Sequence, residues 1–150
     1  MRNLFEANDL ELTLARVKSI TADTKPVWGK MTADQVMAHL NVAYDMAYTD
    51  KYTKARGVKK FLLKIFVKSA VVGPKPYPKN GRTAPEFIIS DQRNFGLEQA
   101  KLIEHLIKTQ ALGETHFHNK ESNSFGALTS KEWNVLFAKH IDHHLTQFGV

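Results

Sequence analysis

The stretch AKHIDHHLTQFGV carries His140, His143 and His144 in a segment that otherwise has the spacing of packing surface. Imidazoles grouped in this way can hold a divalent metal, move protons, or fill a polar seam in a core. His140 and His144 stand four residues apart, so on a helix their rings stack one turn apart on one face, within reach of a single ion. On a helical wheel the pair falls inside the apolar stripe of Trp133, Phe137, Ile141 and Phe148, whereas His143 lies at its edge and Asp142 on the far side. The chain contains no cysteine. Disulfides, thiolate zinc sites and a thiol nucleophile are thereby excluded, and any metal must be held by His, Asp or Glu.

H-x-x-x-H without the Glu of H-E-x-x-H also describes a hydrogen-bonded buried pair, with Gln147, Asn41 or backbone carbonyls as partners. A metal in a bundle core draws ligands from more than one helix. In MTADQVMAHL, His39 borders the inward face formed by Val36, Leu40 and Ala43, which makes it the natural third ligand. Three neutral imidazoles leave at least one coordination position for water or substrate, the mark of a catalytic rather than a closed structural site. His105 sits at the edge of its helix's apolar face. His116 and His118 fall in the polar run THFHNKES, where exposure is expected and from which His118 could swing toward a site.

These residues need helices to position them. The spacing of Leu10, Leu14, Val17 and Ile20 predicts a first helix over about 9–23, capped by Asn8 or Asp9. Thr32 and Gln35 form a capping box, with Met31 and Val36 as a staple, for a second helix from Ala33 to about Thr49. VKKFLLKIFVKSAVV predicts a third, lysine-dotted helix whose β-branched end also suits a strand, with Phe61 and Phe66 turned to a buried face. GPKPYPKNGRTAPEF, with four prolines and two glycines in fifteen residues, is a long extended connection. A helix follows over 91–110, capped by Asp91, with Phe95, Leu102, Ile103, Leu106 and Ile107 inward. A polar loop through Asn123 leads to a last helix, whose start is marked by the Thr129 and Glu132 capping box and a Leu128–Trp133 staple. Strand signals are weak throughout. The pattern is an all-α bundle of four long helices plus a shorter basic one.

At 150 residues, 43% of them hydrophobic, the chain suits one domain spanning 1–150 with a real core. No apolar h-region opens it and no long uncharged apolar run occurs, so a cytoplasmic protein without stable membrane insertion is expected. The formal net charge is +6, placed unevenly. Between Lys51 and Arg82 there are ten basic residues and no acid, leaving eleven basic against fifteen acidic residues elsewhere. Such a segment suits nucleic acid, an anionic membrane surface or a small anionic ligand, or is, as is more common, a solvated lysine face.

WGKMTADQVMAHL and FGALTSKEWNVLFAKHIDHHLTQFG resemble the signatures of a bacterial family of unassigned function within the DinB-like (DinB/YfiT-like) metalloenzyme superfamily. The resemblance covers both ends and, by helix order, nearly the whole chain. It implies a four-helix bundle of up-down-down-up topology, consistent with the long Gly/Pro connection. It also implies a metal held by one His of the second helix and an H-x-x-x-H of the last, which are His39, His140 and His144 here. HIDHHLTQ matches the H-x-x-H-H-x-x-Q common in the superfamily, with His143 not a ligand. His143, Gln147 and His118 are then candidates for the groups surrounding the site. Leu145 and Thr146 stand where many relatives carry Arg-Gly, so a substrate contact by that arginine does not carry over. Nickel and zinc are the usual occupants in similar proteins, and imidazole ligands also accept iron, cobalt or manganese.

The resemblance implies a metal-dependent transferase or isomerase using a low-molecular-weight thiol, or a metal-dependent hydrolase. Its partner would be a small-molecule substrate such as an anionic thiol, and a homodimer is compatible with the chain. The alternative is a non-catalytic helical module that binds anionic partners through residues 51–82, with nucleic acid not favoured because Phe61 and Phe66 suit a core.

Overall fold

The computed structural model describes all 150 residues, Met1–Val150. Six α-helices make up most of the chain: α1 (Ala7–Ser19), α2 (Ala33–Tyr48), α3 (Gly57–Phe66), α4 (Lys68–Val72), α5 (Phe95–Phe117) and α6 (Ser130–Gln147). The fold is all-α, with one small antiparallel hairpin of β1 (Lys120–Ser122) and β2 (Gly126–Leu128) between α5 and α6.

The two helices that carry the paired histidines and His39 begin where their capping boxes place them. The Thr32 N–H donates to the Gln35 carboxamide oxygen at 3.1 Å. At α6 the Glu132 N–H donates to Thr129 Oγ1 at 3.2 Å, and the Thr129 N–H donates to the Glu132 carboxylate at 2.9 Å. Reciprocal bonds of this kind satisfy donors that a helix start would otherwise leave open. From Ala33 to Asp45 most of α2 is buried, polar residues included, because it packs between α5 and α6. One continuous core holds Val17 of α1, Met37 and Leu40 of α2, Leu102 and Leu106 of α5, and Phe137 and Leu145 of α6.

Several expected elements differ. α1 starts at Ala7 and ends at Ser19, with Glu6 at the cap position. Asp9 instead accepts the Asn3 N–H at 2.7 Å, tying down the N-terminal segment. The cap of α5 is Asn94, which accepts from the Leu97 N–H, and not Asp91, which pairs with Arg93. α5 also runs past residue 110, but it is kinked at Gly113, whose φ of 67° and ψ of 179° are non-helical and suit glycine, and a last short turn continues to Phe117. Ile107 faces solvent rather than the core. The hairpin leaves no signal in the sequence, because strands of three residues are too short to show a period of two. It is held by Ser122 Oγ donating to the Gly126 carbonyl at 2.8 Å, and by Trp133 Nε1 donating to the Lys120 carbonyl at 3.2 Å.

The basic apolar run forms two helices broken at Val67, not one helix or a strand. α4 is fastened to α6 by Lys139, a buried residue whose ammonium donates to the carbonyls of Ala70, Gly73 and Lys75 at 2.7–3.2 Å. Burial lowers its pKa from the ordinary lysine value. Bonds from a charged donor are worth about 1.5–3 kcal/mol each before coupling, and a cation at a helix C-terminus adds to this. Lys139→Met is therefore expected to destabilise the chain by about 2–4 kcal/mol, read as a lower urea midpoint. α3, in contrast, has no buried residue, and Phe61 and Phe66 are exposed rather than buried.

Candidate metal centre

α6 presents His140 and His144 on one face, α2 presents His39 opposite them, and one nitrogen from each of the three rings lies within 4.8 Å of the other two. His39 Nε2 and His140 Nε2 are 2.9 Å apart. Two nitrogens about 2.0–2.1 Å from one divalent ion stand about 2.9 Å apart at a right angle and about 3.3 Å at the tetrahedral angle. The observed separation therefore fits shared ligation. The three rings pack edge to face, with centroids 4.5–5.0 Å apart.

The surroundings set the tautomers. His39 Nδ1 lies 2.8 Å from the carbonyl oxygen of Phe87. A carbonyl only accepts, so Nδ1 carries the proton and Nε2 keeps its lone pair for the cluster. His144 Nδ1 lies 2.7 Å from Gln147 Oε1. The Gln147 amide is itself oriented, because its Nε2 donates to the Trp28 carbonyl at 2.8 Å. His144 Nδ1 is thus also a donor, and its Nε2 is also free. Outer partners of this kind raise the basicity of a ligating imidazole and fix its plane.

Burial holds all three rings in the neutral, ligand-competent form. His39 is lowered from the ordinary histidine value, chiefly by desolvation, against a smaller opposing effect of its bond to Phe87. His140 is pushed well below 6.5 by burial and then by His39 and His144. His144 falls to about 3 through burial, with the neighbouring His39 adding to the shift. A metal cation meets little competition from protons at such a site.

The Pro-rich connection supplies the cover. Its short 3-10 turn, Pro85–Phe87, brings the Phe87 ring against His39 and His140, with centroids 5.4 and 5.6 Å away. Tyr77 of the same connection stands 6.4 Å from His140 and 5.7 Å from His143. Beside the cluster, a recess of about 210 Å³ is lined by Trp28, Tyr77, Lys79, Lys139, Asp142 and His143, among others. His143 is half-buried there, edge-on to His144, and outside the converging set. Lys139 is committed to its three carbonyls, whereas the Lys79 ammonium lies over the Trp28 ring at 4.5 Å.

The structure brings together His39, His140 and His144, and places Gln147 in contact with His144. His118 is exposed at the end of α5 and takes no part, because the hairpin that follows it turns away toward Trp133. His105 bonds Asn41 at 3.1 Å and stacks on Tyr44, so it belongs to the α2–α5 interface. Reasoning from spacing missed Phe87, Tyr77 and the Trp28 carbonyl, which lie on irregular segments that carry no periodic signal. Comparison with family models, with curated proteins and with solved structures finds no match.

Gly29 explains why the WG dipeptide sits where it does. At φ 84° its backbone passes so close to Gln147 that an added Cβ would lie 2.3 Å from Nε2. Gly29→Ala would displace the amide that orients His144. Gln147→Leu would remove that amide. Each is expected to weaken metal affinity about 10–100-fold, the usual cost of losing an outer partner of a ligand, measured by chelator competition.

Proposed function

We propose that this chain is a divalent-metal protein of the DinB-like kind, with His39, His140 and His144 as ligands and a small-molecule substrate taken at the open position. The carrying observation is that two Nδ1 atoms are engaged by carbonyl-type acceptors while the Nε2 atoms are left to converge. In the metal-free chain His140 Nε2–H donates to the His39 Nε2 lone pair across 2.9 Å, and an ion would replace that shared proton. Support for the four-helix bundle reading comes from helix order, with α1, α2, α5 and α6 as the four and α3–α4 as the basic addition, and from the packing of α2 on both α5 and α6. The all-imidazole donor set suits nickel or zinc first and accepts iron, cobalt or manganese.

An ion held there would lower the pKa of a bound thiol or water and so make a nucleophile available near neutral pH. The chain's own residues add two functions. His143, kept below the ordinary histidine pKa by burial and hence neutral, can accept a proton at the rim. Lys79, exposed at the recess, can pair with the anionic end of a small thiol. A thiol-dependent transferase or isomerase is thus the preferred reading over a hydrolase. Titrating the cobalt(II)-loaded chain with N-acetylcysteine tests it. A new intense near-ultraviolet thiolate-to-cobalt band is expected, and an unchanged spectrum would reject the thiol reading.

A further inference from the structure

α3 is built inside out for a helix on a protein surface. Leu63 packs on the core, and Lys60 and Lys68 flank it in ion pairs with Glu121 and Glu132 on the body of the molecule. The opposite side carries Val58, Phe61, Leu62 and Ile65, the i, i+3, i+4, i+7 spacing of one helical face, with Phe66 beside them. These five are 45–74% exposed. Contiguous bulky apolar side chains turned to water mark a binding face. Around them Lys54, Arg56, Lys59 and Lys64 are exposed, and none is in an ion pair.

We propose that α3 docks the protein on an anionic lipid bilayer, lying in the interface with Phe61, Leu62, Ile65 and Phe66 in the acyl boundary and the free cations among the headgroups. The combination of aromatic and aliphatic side chains on one face with lysines at its margins is the composition that peripheral helices use. Charge separates this partner from the others. Two copies meeting through this face would bring together two segments that each hold ten basic residues and no acid between Lys51 and Arg82. A nucleic acid would neutralise the lysines but leave the Phe61 and Phe66 rings in water. No helix is long and apolar enough to cross a membrane, so the contact is peripheral. This inference is independent of the metal centre.

The test is flotation of the full chain with phosphatidylcholine vesicles containing about one third phosphatidylserine, against pure phosphatidylcholine. Binding is expected to the anionic vesicles only, and to fall steeply as salt is raised. Phe61→Ser with Phe66→Ser, and separately Lys59→Glu with Lys64→Glu, are each expected to lower vesicle affinity about tenfold or more. Circular dichroism should be unchanged, because α3 has no buried residue. The emission of Phe66→Trp should shift to the blue on anionic vesicles. Three results would overturn the proposal: no binding to anionic vesicles; polyanion binding, to RNA or DNA, untouched by the phenylalanine pair while vesicles are ignored; or a dimer in solution that this pair dissociates.

Discussion

His39→Ala is expected to lower metal affinity by about a hundredfold to a thousandfold while leaving the helical fold in place. Structural zinc is worth about 10–16 kcal/mol over four ligands, so each ligand accounts for about 2.5–4 kcal/mol. His39 is the only member of the trio on α2, and its loss would leave two imidazoles on one helix, with no cross-helix chelate. His144→Ala should fall in the same range, because His144 and its oriented Gln147 partner form the other anchored arm. His143→Ala is the control one residue away. Its ring lies outside the converging set, so affinity should change by no more than a few-fold, measured by calorimetry or chelator competition. Equal losses for His143→Ala and His144→Ala would refute the assignment.

The metal-free chain should be destabilised by acid over an unusually wide window. In the unfolded chain the histidines take up protons near 6.5, whereas in the folded chain His144 does so only at about 3, and His39 and His140 are also lowered by burial. Between those values the unfolded state binds more protons than the folded one, so stability falls as pH falls. Above about 6.5 both states are neutral at these rings and the contribution is flat. Urea midpoints of chelator-treated protein should therefore decline from pH 7 downward, with a shallower decline in His144→Ala. Saturating metal should raise the midpoint near neutral pH, since an ion gripped by three converging imidazoles favours the folded state over the scattered histidines of the unfolded chain. A flat profile from pH 7 to 4 would contradict the burial of these rings.

How much of this was legible in the sequence depended on the length scale of each signal. Capping boxes fixed the starts of α2 and α6 because three residues suffice to make them. The wheel correctly divided His140 and His144 from His143, since a regular helix converts spacing directly into direction. His39 was reachable in the same way. The hairpin was not legible, and α3 was misjudged for a physical reason: periodicity shows that a helix has an apolar face but not whether anything covers it. Phe61 and Phe66 obey the pattern of core residues and face water. The elements that tune the site lie on irregular chain. The Phe87 carbonyl and the Trp28 carbonyl select the tautomers of His39 and His144 through contacts 48 and 119 residues apart in sequence, and backbone groups leave no trace in residue type. Gly29 was the one available hint, a glycine whose missing Cβ makes room for Gln147.

Elemental analysis of the untagged chain, purified, incubated with equimolar nickel or zinc and dialysed against metal-free buffer, tests the central claim most directly. The three converging imidazoles predict close to one metal ion per chain for the native protein. A chain that retains none from either metal would show that His39, His140 and His144 form a packed polar seam and not a metal centre.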